Sequence, residues 1–189
     1  MSMHATAYGF EPAFALAEIE AEPLARLDVS RLTRARVVIA DDHPLFREGL
    51  VRAISANLSL EVVGEAADGV DALTLIEEMQ PDVALLDVRM PRLDGIDVCE
   101  SVARRVPPMP TRVVLLSAYM EPSLLWRAAV AGASGYMSKE SSRTDICDAL
   151  VDVALGGTAF APDAEDGLLE ALEQILAIDS PGPAQASDA

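Results

Sequence analysis

The chain has 189 residues, 51% of them hydrophobic, which is enough for one domain with a real core plus some extra length. Its 31 acidic residues against 14 cationic ones leave a formal charge of −17, a sign that repels nucleic acid, and no basic stripe interrupts it. No apolar run is long enough to span a membrane, and no basic start with an apolar block marks a signal peptide. Cys99 and Cys147 fall within helical patterns without a partner motif or enough companions for a zinc site, so a cytoplasmic chain with two reduced, buried thiols is expected.

Residues 1 to 35 are Ala- and Glu-rich, and Pro12 and Pro23 limit any helix to the stretch between them. They read as an extension that packs on a partner or on the domain itself. A repeating pattern then begins. Arg36 to Ala40 form a short strand ending at Asp41-Asp42, and Pro44 suits the first turn of a helix carrying Leu45, Phe46, Leu50, Val51 and Ile54. Leu60 to Gly64 form a second strand, and Asp68-Gly69 open a second helix. The run Val83 to Asp87, bounded by Pro81-Asp82 and Pro91, is a third strand buried on both faces. Asp94 caps a third helix. Thr111 to Ser117 make a fourth strand, 121 to 131 a fourth helix, Tyr136-Met137 a short fifth strand, and 141 to 155 a fifth helix ended by Gly156-Gly157. Beyond Gly156 there is no Lys or Arg. Leu168, Leu169, Leu172, Ile175 and Leu176 give an apolar stripe that predicts a further helix over 165 to 178, before a Pro/Ala/Ser-rich end. The expected organisation is an extension (1–35), one α/β domain (36–157) and an acidic tail (158–189).

Strands alternating with helices predict a doubly wound, five-stranded parallel sheet with strand order 2-1-3-4-5 and right-handed crossovers. Parallel topology puts every carboxyl-terminal strand end on one rim, where ligands bind in such sheets. A strand buried on both faces does not tolerate an unpaired carboxylate in its middle, so Asp87 belongs at its end. Asp41, Asp42, Asp87, Ser117 and Lys139 then converge from separate repeats. Three neighbouring carboxylates repel one another, and a divalent ion with oxygen ligands, Mg²⁺, resolves that while also pairing with phosphate. Asp87 is a competent nucleophile for an aspartyl phosphate, with Ser117 and Lys139 placed to receive charge spread over the phosphoryl oxygens. Lys139 is the only lysine; the other thirteen cations are arginines, so a compact point charge is called for where Arg cannot copy it. His43 is expected as a helix-start residue rather than a metal ligand or catalyst. Taken singly, Asp42 could merely cap the helix at Pro44, Ser117 could be a turn residue and Tyr136 a core residue. Their joint occurrence on one rim is what those readings leave unexplained.

The motifs Val38-Ile39-Ala40-Asp41-Asp42-His43-Pro44-Leu45-Phe46-Arg47-Glu48-Gly49-Leu50, Leu86-Asp87-Val88-Arg89-Met90-Pro91 with Asp94-Gly95, Leu116-Ser117-Ala118 and Ala131 to Lys139 occur in that order. The chain resembles the receiver domain of bacterial two-component response regulators, in the NarL/FixJ branch whose members usually carry a LuxR-type helix-turn-helix. The resemblance implies a flavodoxin-like, CheY-like (βα)5 fold and a cytoplasmic signalling switch in a phosphorelay linked to transcription regulation, not a metabolic enzyme. It implies that Asp87 accepts a phosphoryl group from a sensor histidine kinase. It implies that Mg²⁺ is held by Asp42, Asp87 and the backbone carbonyl of Arg89, with Asp41 acting directly or through water. It implies too that Ser117 and Tyr136 form a switch pair in which the hydroxyl moves toward the phosphoryl group and the ring turns inward, so that the face made by the fourth helix, fifth strand and fifth helix changes partner preference. Homodimerisation through that face or through the tail helix is expected, with no contact to nucleic acid or membrane.

The chain departs from the pattern at three places. Glu140 follows Lys139 where many receivers have Pro, and a cis bond there would cost about 3 kcal/mol. Arg89 is a long cation beside the acceptor, expected to alter phosphoryl lifetime by obstructing water or by pairing with the acidic cluster. The sequence stops about where a helix-turn-helix would begin, leaving a receiver-only regulator or a truncated DNA-binding one. The rivals are a phosphate-independent interaction module, against which the intact acceptor, acidic pair, Ser117 and Lys139 argue, and an aspartyl phosphatase, which would want a carboxylate where Arg89 stands.

Overall fold

The computed structural model of the chain describes residues 34–160, so the expected extension and the helix at 165 to 178 lie outside the described residues. The elements are β1 (Ala35–Ala40), α1 (Pro44–Ala56), β2 (Leu60–Ala66), α2 (Gly69–Met79), β3 (Val83–Asp87), α3 (Gly95–Ala103), β4 (Arg112–Ser117), α4 (Pro122–Val130), β5 (Gly135–Ser138), α5 (Arg143–Ala154) and β6 (Ala159–Phe160). All pairings are parallel and the order is β2-β1-β3-β4-β5-β6. The first five strands and five helices follow the predicted pattern. No helix among the described residues is long and apolar enough to cross a membrane.

The sixth strand corrects the expectation of five. α5 ends at Gly156-Gly157 as read, but Gly156 takes φ +101, a conformation that favours glycine, and turns the chain back along β5. Ala159 N–H then donates to the Ser134 carbonyl at 2.9 Å. Two residues are too few to show a period-two pattern, which is why the sequence carried no sign of this strand.

Alternation along the central strands splits the core into two layers. Val38, Ala40, Ala84, Leu86 and Leu115 pack with Ile76, Val98, Leu125 and Tyr136 on the α2/α3/α4 side. Val37, Ile39, Val83, Leu85, Val114 and Leu116 pack with Leu50, Ile54, Ile146 and Leu150 on the α1/α5 side. β3 is buried along its whole length, as its unbroken apolar run requires.

Helix starts follow side-chain chemistry. Asp68 accepts from the amides of Val70 and Asp71, Asp94 from Asp97 and Ser142 from Asp145, while Pro residues open α1 and α4. α3 begins directly beneath the end of β3: a Cβ at Gly95 would overlap the Asp87 carbonyl oxygen, and Gly95 N–H donates to the Val88 carbonyl at 3.0 Å. The Val106–Pro107 bond is cis and Lys139–Glu140 is trans. In place of a proline, the β5–α5 loop is held by the Lys139 amide on the Ser117 carbonyl at 2.8 Å and the Glu140 amide on Ser138 Oγ at 3.1 Å.

Candidate functional site

The strand order reverses between β1 and β3, and the residues at the carboxyl ends of those strands face each other across that point. Asp41 follows β1 directly and is fully buried; Asp87 is the last residue of β3 and only 3% exposed. Ser117 ends β4 beside it, since Leu116 pairs with Asp87, and Lys139 follows β5. The rim predicted from the sequence therefore exists, with these four side chains on it.

The ammonium of Lys139 joins the two buried carboxylates. Its Nζ lies 2.6 Å from Asp87 Oδ2 and 2.7 Å from Asp41 Oδ2. Burial alone would push the lysine pKa down; the two carboxylates outweigh it and hold it above the ordinary value. Burial pushes the Asp87 carboxyl above its usual range, and the hydrogen bonds from Lys139 and from the Arg89 amide to Oδ1 (3.1 Å) only partly oppose this.

Three carboxylates thus face one ammonium. Ligand atoms from Asp41, Asp42, His43 and Asp87 all lie within 4.8 Å of one another. Asp41 Oδ1 accepts the His43 amide at 2.8 Å, but Asp41 Oδ2 and Asp42 Oδ1, both buried, accept no aligned hydrogen bond; Asp41 Oδ2 meets Lys139 as an ion pair without hydrogen-bond alignment. Three carboxylates gathered around a single ammonium, with buried oxygens that accept no aligned hydrogen bond, fit a hard cation, so the donor set suits a divalent metal ion. Asp42 does not cap α1: the N-cap is His43.

A second group of contacts sits on the β4–α4 side. Ser117 Oγ donates to the Tyr119 carbonyl at 2.6 Å and accepts from the Tyr119 amide at 3.1 Å. Tyr136 OH donates to the same carbonyl at 3.2 Å, and its ring is fully buried in the α2/α3/α4 layer. Tyr136 is therefore already inside, and the Ser117 hydroxyl is engaged by the loop. The Arg89 guanidinium lies 5.2 Å from the Tyr119 ring centroid and 4.0 Å from Glu121. Of the two expectations for Arg89, pairing with the acidic cluster is not what the structure contains.

Sequence reasoning missed three contributors. Phe46, read only as an apolar residue of α1, presents its ring to Lys139 Nζ at 4.9 Å and to the Arg143 guanidinium at 4.1 Å. Tyr119 acts through its backbone carbonyl, which leaves no trace in residue type. His43, expected as a helix-start residue, is one, yet its side chain makes no cap bond and stands 2.6 Å from Asp42 Oδ1. The tripeptide Asp-Asp-His was the available signal. Cys99 and Cys147 are free and buried, and burial pushes the Cys99 thiol up to about 12.

A family model described as the response regulator receiver domain matches residues 37–151. A transcriptional regulatory protein named NarL from Mycobacterium tuberculosis H37Rv is 50% identical over 141 residues, which are 75% of this chain and 64% of that protein. The chain thus spans under two thirds of the length of that curated relative. Among solved structures, the signal receiver domain of a response regulator NarL from M. tuberculosis is 52% identical, with a TM-score of 0.63, covering 66% of this chain and 98% of that one. A LuxR-family two-component response regulator from Aurantimonas sp. SI85-9A1 is 30% identical, with a TM-score of 0.67, covering 76% and 99%.

Proposed function

The chain belongs to the response regulator receiver family and is related to NarL-type transcriptional regulators, and we propose that Asp87 is its phosphoryl acceptor, supplied by a sensor histidine kinase. The observation that carries this is the ion-pair bridge: the Lys139 ammonium spans Asp41 and the buried end-of-strand Asp87 at 2.7 and 2.6 Å. An Asp87 carboxylate oxygen attacks phosphorus, the P–N bond of the kinase phosphohistidine breaks, and the imidazole leaves with the electron pair. Lys139 stays on the acyl phosphate as compensating charge, and the acyl phosphate passes to water when the signal decays. Asp41, Asp42, Asp87 and the Arg89 carbonyl would hold Mg²⁺, which when bound neutralises the cluster and draws a phosphoryl oxygen toward Asp87.

The switch follows from the hydrogen bonds on Tyr119. A phosphoryl oxygen on Asp87 is a stronger acceptor than a peptide carbonyl, so the Ser117 hydroxyl leaves Tyr119 for it. The Tyr119 carbonyl keeps only Tyr136, and the 118–121 loop, which touches Arg89 through Tyr119 and Glu121, is released to a second position. Because Tyr136 is already buried, the loop, rather than ring rotation, carries the change to the α4/β5/α5 face. Domain limits of 36–157, cytoplasmic action, and pairing of two copies through that face or the tail belong to the same proposal.

Incubation with Mg²⁺ and a small phosphodonor, read by intact mass, tests the reading. One phosphoryl group should add to the wild type and none to Asp87→Asn. Equal labelling of both would remove Asp87 from the role.

A further inference from the structure

Resting on the reading of this rim as a cation site, we propose that His43 completes it as a nitrogen ligand, so that the site favours a first-row divalent transition ion such as Mn²⁺ or Ni²⁺ over Mg²⁺. His43 occupies the N-cap of α1 in an extended conformation, a place where short polar side chains usually turn back to the helix amides, and it makes no such bond. Its Nδ1 stands instead 2.6 Å from Asp42 Oδ1, 3.4 Å from Asp41 Oδ1 and 4.0 Å from Asp87 Oδ2. The four donor atoms lie within 4.8 Å of one another, close enough that shifts of well under an ångström bring them to the spacings of about 3.0 and 4.2 Å around an ion with bonds of about 2.1 Å.

The backbone holds this placement. The His43 amide is tied to Asp41 Oδ1 at 2.8 Å, Pro44 holds the residue before it, His43, in extended backbone, and Arg47 Nη1 donates to the Asp41 carbonyl at 2.6 Å, closing the β1–α1 loop around the cluster. The imidazole is 70% exposed, so an ion arrives with little side-chain movement; beneath it Asp42 Oδ1 accepts no aligned hydrogen bond, and Asp41 Oδ2 is met only by the Lys139 ammonium. Mg²⁺ prefers an all-oxygen octahedron and retains water where nitrogen is offered. Imidazole raises affinity along the series from Mn²⁺ to Ni²⁺. One histidine therefore shifts metal choice at a site whose other donors are oxygens.

The test uses the full chain with Mn²⁺ alone, read by electron spin-echo envelope modulation for a directly bonded imidazole nitrogen. The wild type should show that coupling, and His43→Ala and His43→Asn should lose it; Asn keeps a residue suited to the N-cap, so loss of fold is separated from loss of ligand. The chain has one other histidine, His4, and the coupling should persist in His4→Ala. Calorimetry should find Ni²⁺ bound about tenfold or more weakly by His43→Asn, with Mg²⁺ affinity little changed. Mn²⁺ bound without nitrogen coupling, or a Ni²⁺ affinity equal in wild type and variant, overturns the inference and leaves the oxygen site standing. No divalent ion bound by the folded wild type overturns both this inference and the reading on which it rests.

Discussion

Lys139 is held on three sides, by Asp41, Asp87 and the ring of Phe46, and it is only 12% exposed. That setting suits a compact ammonium point charge, which a planar guanidinium fork does not copy. Lys139→Met should slow phosphorylation roughly 100-fold, the scale of removing one donor from a charge-stabilising site, and Lys139→Arg should not restore it. Rates from a small phosphodonor check this; recovery with Arg would show that charge alone suffices. Arg89 sits outside the cluster, with its side chain 68% exposed against Tyr119 and Glu121. The other expectation for it is that it shields the acceptor from water; on that proposal Arg89→Ala should hasten loss of the phosphoryl group by several-fold, on the order of 1 kcal/mol in barrier. Equal decay in the two proteins would end that idea. At this scale the sequence was legible where residue type carries the chemistry: Asp41, Asp42, Asp87, Ser117 and Lys139 were named and are on one rim. It was opaque where a backbone atom acts, as at the Tyr119 carbonyl, or where a residue has a second plausible job, as Phe46 does in α1.

Elements place these groups by crowding as much as by bonding. α3 starts against the carbonyl of Asp87 because Gly95 has no side chain to keep it away, and behind that start Ile96, Val98, Cys99 and Val102 fill the layer under β3 and β4. Cys99 donates to the Ala131 carbonyl at 3.4 Å, linking α3 to the end of α4. Its burial has a consequence for stability. The thiolate is disfavoured in the fold, so the native thiol titrates near 12 against 9.0 for the free group. The native state then holds the proton that the unfolded chain gives up. Stability is unaffected below pH 9 and falls as pH rises from 9 toward 12, by up to about 4 kcal/mol over three units. Denaturant unfolding across that range should show the loss in wild type and a shallower one in Cys99→Ala. Parallel slopes would mean that Cys99 is not the group responsible. β6 marks the limit of pattern reading at this scale: Gly156-Gly157 announced the end of α5, but nothing in two residues distinguishes a strand from a turn.

The whole molecule converts a repeating βα pattern into one shared rim. Strands that alternate sides bury two apolar layers, the reversal of order between β1 and β3 opens the crevice, and the carboxylates at those strand ends lie over it. That logic was readable from the spacing of apolar runs and from the acids that end them, which is why the order 2-1-3-4-5 was predictable. On the proposed function, this rim makes and holds an acyl phosphate on Asp87. Reduction of the phosphodonor-treated, folded protein with borohydride converts an aspartyl phosphate into homoserine, and peptide mass analysis locates it. Homoserine is expected at position 87 alone, dependent on Lys139. Homoserine at another aspartate, or none in protein whose mass shows a bound phosphoryl group, would contradict it.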